Sequence, residues 1–123
     1  MSVRTEQGDD PKRFLPLTPA SFHVLVALAD CDKHGWAVMK EISMRTHGEI
    51  RLSPGTLYGL VKRLLKEELI AESNERPPSH WDDHRRRYYR LTELGRRVAE
   101  AELERMQTTI TGAEAMLRAA PSS

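Results

Sequence analysis

Apolar residues recur at three-to-four spacing in the first half of the chain and predict two short helices. Thr18 is a suitable N-cap and Pro19 suits a first helical turn. The apolar face that follows consists of Phe22, Leu25, Val26, Leu28 and Ala29. Residues 30–35 break this period and are predicted to form a turn. A second helix is predicted over about residues 36–46, with Gly48 placed for a left-handed C-terminal conformation.

A third helix has the clearest pattern in the chain. Ser53 is its predicted N-cap and Pro54 its first residue. One face is apolar and comprises Leu57, Leu60, Val61, Leu64 and Leu65. The opposite face contains no acid and comprises Gly55, Tyr58, Gly59, Lys62, Arg63 and Lys66. Because a solvated face usually mixes charges of both signs, this pattern favours a surface that approaches an anionic partner over a merely solvated one.

Two short strands and a loop with two prolines follow the third helix. Residues 69–74 are predicted as one strand, residues 75–84 as the loop and residues 85–91 as the second strand. Strict alternation in the second strand would place Tyr88 and Tyr89 on opposite faces. The two strands predict a β-hairpin, which forms the wing of a winged helix-turn-helix domain.

The last helix is predicted over residues 93–118, with Thr92 as its cap. Its apolar residues are spaced by alternate steps of four and three: Ala99, Leu103, Met106, Ile110, Ala113 and Leu117. A 3.5-residue repeat is typical of a helix that packs along another helix. A helix of this length is about 40 Å long and outruns the core of so small a domain. We therefore expect this series to form the dimerisation surface.

These elements predict a mainly α fold with a small β-hairpin. We expect a flexible N-terminal arm over residues 1–16, a winged helix-turn-helix domain over 17–92, the dimerisation helix over 93–118 and a tail over 119–123. Of the 123 residues 39% are hydrophobic and 30% are charged, which favours one folded soluble domain. The single cysteine and the absence of a signal-like or membrane-spanning apolar run favour a cytoplasmic protein without a membrane partner.

The local charge favours double-stranded DNA as the partner. Residues 51–97 contain 11 basic and 7 acidic side chains, whereas both flanking parts are slightly acidic. Lysine and arginine neutralise phosphates, tyrosine hydroxyls bond them, and helix N-termini accommodate them. Arginines of the wing suit a narrow minor groove, although charge also protects a sheet edge. The expected contacts are Ser53, Thr56, Tyr58, Lys62, Arg63, Lys66, Arg85, Arg86 and Arg87.

Three stretches of the sequence resemble the PadR family of bacterial transcriptional regulators. The first combines LTP at residues 17–19 with HGW at 34–36. The second is SPGTLY at 53–58 with the apolar residues that follow it, and the third is RRYYRLTELG at 86–95. The resemblance covers about residues 15–118, and the short C-terminal part is similar to the subfamily with a single dimerising helix.

The resemblance implies a homodimeric repressor whose two recognition helices read a palindromic operator. It also implies a small-molecule effector that releases the DNA, with binding residues that the sequence does not assign. Family members usually have glycine where this chain has Glu68, so a left-handed Glu68 would strain the helix end by ~1 kcal/mol. Gly59 stands where a larger residue is common, which removes one base contact.

Other interpretations of the same residues are weaker. A winged fold can dock on protein instead of DNA, but the acid-free face of the third helix argues against this alternative. Trp36 is expected in the core, although it could sandwich a planar effector together with Trp81. Neither Cys31 with His34 nor His80 with His84 offers the three or four ligands of a metal site. No catalytic constellation or cofactor motif is present, so we expect no enzyme.

Overall fold

Capping residues set the limits of the four main helices. The computed structural model describes residues 10–73 and 87–119. Its helices are α1 (Pro19–Ala27), α2 (Gly35–Arg45), α3 (Pro54–Lys66) and α4 (Glu93–Arg118). The hydroxyls of Thr18, Ser53 and Thr92 each accept a hydrogen bond from the backbone N–H three residues further on. The predicted winged helix-turn-helix order and the long last helix are thereby confirmed.

The sheet has three antiparallel strands, whereas the sequence predicted a two-stranded hairpin. Strands β2 (Ile70–Ser73) and β3 (Tyr88–Leu91) pair as expected. Strand β1 (Lys33–His34) adds to the free edge of β3 and gives the order β1-β3-β2. Two residues are too short to show alternation, so β1 could not be recognised and was predicted as part of a turn. The loop over 75–84 lies outside the described residues.

The core lies between α1, α2, α3 and the inner face of the sheet, and the first turns of α4 close it. Its buried apolar residues are Val24, Leu25, Ala27, Leu28, Val38, Ile42, Leu57, Val61, Leu64, Leu69, Ile70, Tyr89 and Val98. Tyr88 is also buried, which strict alternation along β3 did not predict. The reason is β1, because the imidazole of His34 packs edge-on against the Tyr88 ring at 5.3 Å between ring centres.

Of the predicted flexible arm over residues 1–16, residues 1–9 lie outside the described residues, and residues 10–16 are attached to the folded domain. Pro11–Phe14 form a short 3₁₀ helix that lies against α4, and Phe14 and Leu15 pack on the edge of the core. The backbone N–H of Leu17 donates to Oε2 of Glu102 at 3.0 Å. Glu102 is only 2% exposed. The sequence could not show this contact because it joins residues 85 positions apart.

Close contacts join the end of α3, the start of β2 and the first turn of α4. Glu68 has a φ of 64°, so the left-handed conformation considered from the sequence is present at the end of α3. The Thr92 hydroxyl donates to the carbonyl of Glu68 at 2.7 Å and accepts from the N–H of Gly95 at 2.9 Å. A Cβ atom on Gly95 would lie 2.0 Å from the carbonyl oxygen of Leu69. Only glycine therefore allows α4 to start this close to β2.

Candidate nucleic-acid interface

The exposed face of α3 is basic, and two glycines leave part of its backbone uncovered. Leu57, Val61 and Leu64 are buried, which turns Lys62 and Lys66 outward. In the part of the chain that the structure describes, neither lysine has a carboxylate within ion-pair distance. Cβ atoms added to the two glycines of this face, at positions 55 and 59, would have no neighbouring atom within 4 Å. The backbone of α3 is therefore accessible to a broad anionic surface between its cationic side chains.

Tyr58 flanks this face and is held against the start of α2. A Cβ atom on Gly35 would lie 2.6 Å from the Tyr58 hydroxyl oxygen, so the ring occupies space that only glycine leaves free. Burial raises the pKa of Tyr89, and the neighbouring Tyr58 raises it further. Tyr58 itself packs on the N-terminal turn of α2. This contact gives a physical reason for the glycine in the HGW stretch.

Arg63 lies on the opposite flank of α3, where α1 holds it. Its Nη2 donates to the hydroxyl of Ser21 at 3.2 Å, and its Nε lies 4.0 Å from a carboxylate oxygen of Glu67. Ser21 is fully buried and also accepts a hydrogen bond from the Thr18 hydroxyl at 2.9 Å. The guanidinium is thus oriented by α1 while much of the side chain stays exposed.

The other predicted contacts lie at the N-terminus of α3 and at the wing. The hydroxyls of Ser53 and Thr56 are exposed and bonded to each other at 3.0 Å, while Ser53 also caps the helix. Arg87 precedes β3, and its guanidinium donates to Glu72 of β2 at 2.8 Å. A phosphate at Arg87 would have to share this guanidinium with Glu72. Arg85 and Arg86 lie outside the described residues.

Trp36 is exposed, whereas the sequence predicted that it lies in the core. Its side chain is 57% exposed and not part of the core. The buried face of α2 consists of Gly35, Val38 and Ile42, and Trp36 lies about 100° away from Gly35 around the helix. The ammonium of Lys40 lies over its ring, 5.0 Å from the ring centre. An exposed aromatic residue therefore directly follows the glycine on which Tyr58 packs.

The apolar series of α4 is largely uncovered. Leu103 is 48% exposed, Ile110 55% and Leu117 85%, whereas Ala99 and Met106 are partly buried. Between α1 and the first half of α4 lies an apolar groove of about 150 Å³, lined by residues that include Phe22, Val26, Ala99 and Leu103. The α4 helix continues unbroken through Gly112, and every residue from position 107 to 118 is exposed.

Residues 10–73 and 87–119 contain neither a membrane-spanning helix nor a cluster of metal ligands. No helix there is both long enough and apolar enough to cross a membrane. No group of three or more histidine, cysteine or acidic side chains in these two ranges is arranged to hold a metal ion. His80 and His84 lie outside the described residues.

Comparison with known proteins places this geometry in a family. The transcriptional regulator PadR-like family matches residues 24–101. An uncharacterized protein of Lysinibacillus sphaericus is 36% identical over 73 residues, and a 37.1 kDa protein of transposon TN4556 of Streptomyces fradiae is 37% identical over 87 residues. The aligned parts amount to 59% and 71% of this chain but only 64% and 23% of those two relatives.

Solved structures share the fold over most of the chain. A PadR family transcriptional regulator of Eggerthella lenta is 26% identical with a TM-score of 0.62, covering 96% of this chain and 94% of that one. A PadR family transcription regulator of Clostridium difficile is 24% identical with a TM-score of 0.67, covering 81% and 99%. Because the family match spans more than half of the sequence, the chain belongs to the PadR-like family of transcriptional regulators.

Proposed function

We propose that the protein regulates transcription by binding DNA as a homodimer, with α3 in the major groove. The acid-free exposed face of α3 is the observation that carries this proposal. Lys62 and Lys66 project from it without an ion-pair partner among the described residues. A major groove about 12 Å wide admits an α-helix, and lysines there can contact both phosphates and guanine edges.

The flanks of α3 support the same orientation. Tyr58 on one side and Arg63 on the other are each held by a neighbouring element, so their positions are set before DNA arrives. Pre-positioned donors lose less side-chain entropy on binding than free ones. The open backbone at Gly59 permits a close approach to the floor of the groove. We assign Ser53 and Thr56 to a phosphate at the N-terminal end of the helix.

The wing is assigned to the neighbouring minor groove or its phosphates. Arginine is attracted by the enhanced negative potential of a narrow minor groove. Arg87 stands at the base of β3, and its exposed ion pair with Glu72 contributes little to stability, so a phosphate can compete for it. Arg85 and Arg86 remain predicted contacts.

Dimerisation is assigned to the series along α4 from Ala99 to Leu117. Its exposed apolar residues and the groove beside α1 form one continuous surface that a second copy would cover. A two-fold dimer presents two α3 helices to half-sites about one helical turn apart, hence an operator with inverted symmetry. In this proposal the dimer acts in the cytoplasm and represses transcription by occupying its operator. A small-molecule effector releases it from the DNA.

Selection of genomic fragments by the full-length protein tests this function. Randomly sheared DNA from the source genome is captured at ~0.15 M salt and sequenced. We expect a few strongly enriched sites that share an inverted repeat. The double variant Lys62→Ala/Lys66→Ala should lose this enrichment, whereas Lys12→Ala, which lies beside Thr108 of α4, should keep it. Uniform or absent enrichment by the folded wild-type protein would contradict the proposal.

A further inference from the structure

The first two turns of α2 have a surface that the core does not explain. Trp36 is 57% exposed although tryptophan has a large apolar area to bury. Lys40 is also exposed and lies over the Trp36 ring. The nearby acid, Glu41, is occupied elsewhere, because Arg45 lies at 2.5 Å and Lys33 at 3.5 Å from its carboxylate oxygens. The outer surface at Trp36 and Lys40 is therefore both aromatic and positively charged.

The Trp36–Lys40 surface starts one residue after the point where α2 meets α3. Tyr58 packs on Gly35, the residue directly before Trp36, with its hydroxyl at the distance where a Cβ atom would clash. Trp36 is thus one residue from the point where the two helices touch. In a helix-turn-helix the recognition helix occupies the major groove while the preceding helix crosses the DNA backbone. The α2 side chains at this junction are then placed beside the phosphates that border the groove.

We propose that Trp36 and Lys40 form a contact site for the sugar–phosphate backbone on the flank of the major groove, an inference that rests on the proposed function. The indole N–H and the Lys40 ammonium are both donors without acceptor atoms, which suits phosphate oxygens. The apolar part of the indole suits the deoxyribose face. The cation–π contact with Lys40 limits the orientations of both side chains and so reduces the entropy lost on binding.

The chemistry of the site predicts a contribution that does not depend on base sequence. Phosphates are present at every step of the duplex, whereas base edges differ between sites. Loss of Lys40 should therefore weaken binding to the operator and to unrelated duplex by a similar factor. Loss of a base contact by Lys62 or Lys66 would instead weaken the operator more than the unrelated duplex.

Equilibrium titrations of the full-length dimer test the proposal with four variants: Trp36→Ala, Trp36→Phe, Lys40→Ala and Met44→Ala. Met44 is the matched control, since it is 71% exposed on the same helix, one turn beyond Lys40. Lys40→Ala and Trp36→Ala should each bind both DNAs roughly tenfold more weakly, the effect of one hydrogen bond to a charged group. Trp36→Phe should lose part of this affinity, and Met44→Ala none.

Two further readouts separate backbone contact from an indirect effect. Lys40→Ala should lower the slope of log affinity against log salt by about 1. The chain has two tryptophans, so in a Trp81→Phe background Trp36 is the only one. Operator DNA should then protect its fluorescence from acrylamide. Unchanged thermal unfolding of all variants would show that these exposed side chains are not needed for folding.

The outcomes distinguish this inference from the proposed function. If Lys62→Ala weakens operator binding while Lys40→Ala and Trp36→Ala bind like the wild type, the backbone contact is wrong and the function stands. A loss limited to the operator would likewise overturn a sequence-independent contact. If the folded wild-type dimer binds neither DNA, the proposed function fails and this site fails with it.

Discussion

The buried carboxylate of Glu102 accepts a hydrogen bond from the backbone N–H of Leu17 at 3.0 Å and thereby fastens the segment before α1 to the middle of α4. Arg105, one turn further along α4, donates to the same carboxylate from Nε at 2.6 Å and from Nη2 at 3.1 Å. The hydrogen bonds from Arg105 lower the pKa of Glu102, against the opposing effect of burial, and the Leu17 N–H lowers it further. The buried charge of Glu102 is thus compensated by the Arg105 guanidinium and by the Leu17 N–H.

Removal of this carboxylate should destabilise the fold. Glu102→Ala leaves the Leu17 N–H without its acceptor, so we expect a loss of about 2 kcal/mol in the free energy of unfolding at pH 7. Glu102→Gln retains a hydrogen-bond acceptor for this N–H and should lose less stability than Glu102→Ala. Glu104→Gln, an exposed neighbour on the same helix, is the matched control and should change little. Urea unfolding at fixed protein concentration measures all three, and equal stability of Glu102→Ala and Glu104→Gln would show that the fastening is unimportant.

The lowered pKa of Glu102 also predicts a pH dependence. The folded state holds the carboxylate ionised more strongly than the unfolded chain, whose ordinary value is 4.5. Its stabilising contribution is therefore complete above that pH and is lost as the pH falls through the lower folded-state value. The difference in unfolding free energy between wild type and Glu102→Gln should shrink from pH 6 to pH 3. A difference that stays constant over this range would contradict the assignment.

Alanine substitutions at two glycines of α4 should change the stability of the protein in opposite directions. Gly95→Ala would place a methyl group 2.0 Å from the Leu69 carbonyl oxygen, so β2 and α4 must separate at a cost of roughly 3 kcal/mol. Gly112→Ala meets no neighbour and should stabilise the helix by about 1 kcal/mol. Thermal unfolding of both variants provides the comparison. A Gly95→Ala protein as stable as the wild type would disprove the close packing of α4 on β2.

The left-handed residue at the end of α3 predicts a stabilising substitution. Glu68 has a φ of 64°, which costs a residue with a side chain roughly 1 kcal/mol or more. Glu68→Gly should therefore raise the free energy of unfolding by about 1 kcal/mol. Glu67→Gly, at a position with a φ of −81°, should lower it, since no strain is relieved there and the unfolded chain gains freedom. Destabilisation by both changes would argue against the strained conformation.

The exposed series on α4 predicts which substitutions separate the proposed dimer. Leu103→Asp combined with Ile110→Asp places two charges in the apolar surface, and we expect a monomer in sedimentation velocity experiments. Glu104→Gln lies outside the series and should leave the sedimentation coefficient unchanged. Circular dichroism should show that the winged domain persists, because both changed side chains are about half exposed in the isolated chain. A dimer that survives the double change would refute the proposed interface.

The sequence predicted the local parts of this fold well, because they are encoded locally. Thr18, Ser53 and Thr92 each marked a helix start, and the structure confirms all three caps. The third strand of the sheet and the burial of Glu102 depend on residues far apart in the chain, which no local pattern reveals.

The candidate site shows the same division between local and long-range information. The outward face of α3 followed from its period, whereas the attachment of Arg63 to Ser21 did not. The exposure of Trp36 could have been found from helical spacing alone, since Gly35, Val38 and Ile42 already complete the buried face of α2. Its apolar character suggested the core instead. The residues that contact DNA and those that form the dimer stay predictions.

The most direct test of DNA binding by α3 is the affinity of Lys62→Ala for the operator found by genomic selection. Fluorescence anisotropy at several salt concentrations would compare it with wild type and with Lys12→Ala, a lysine beside α4. We expect roughly tenfold weaker operator binding by Lys62→Ala at each salt concentration, and wild-type affinity for Lys12→Ala. Equal affinity of Lys62→Ala and wild type, with the dimer intact, would contradict binding through this face.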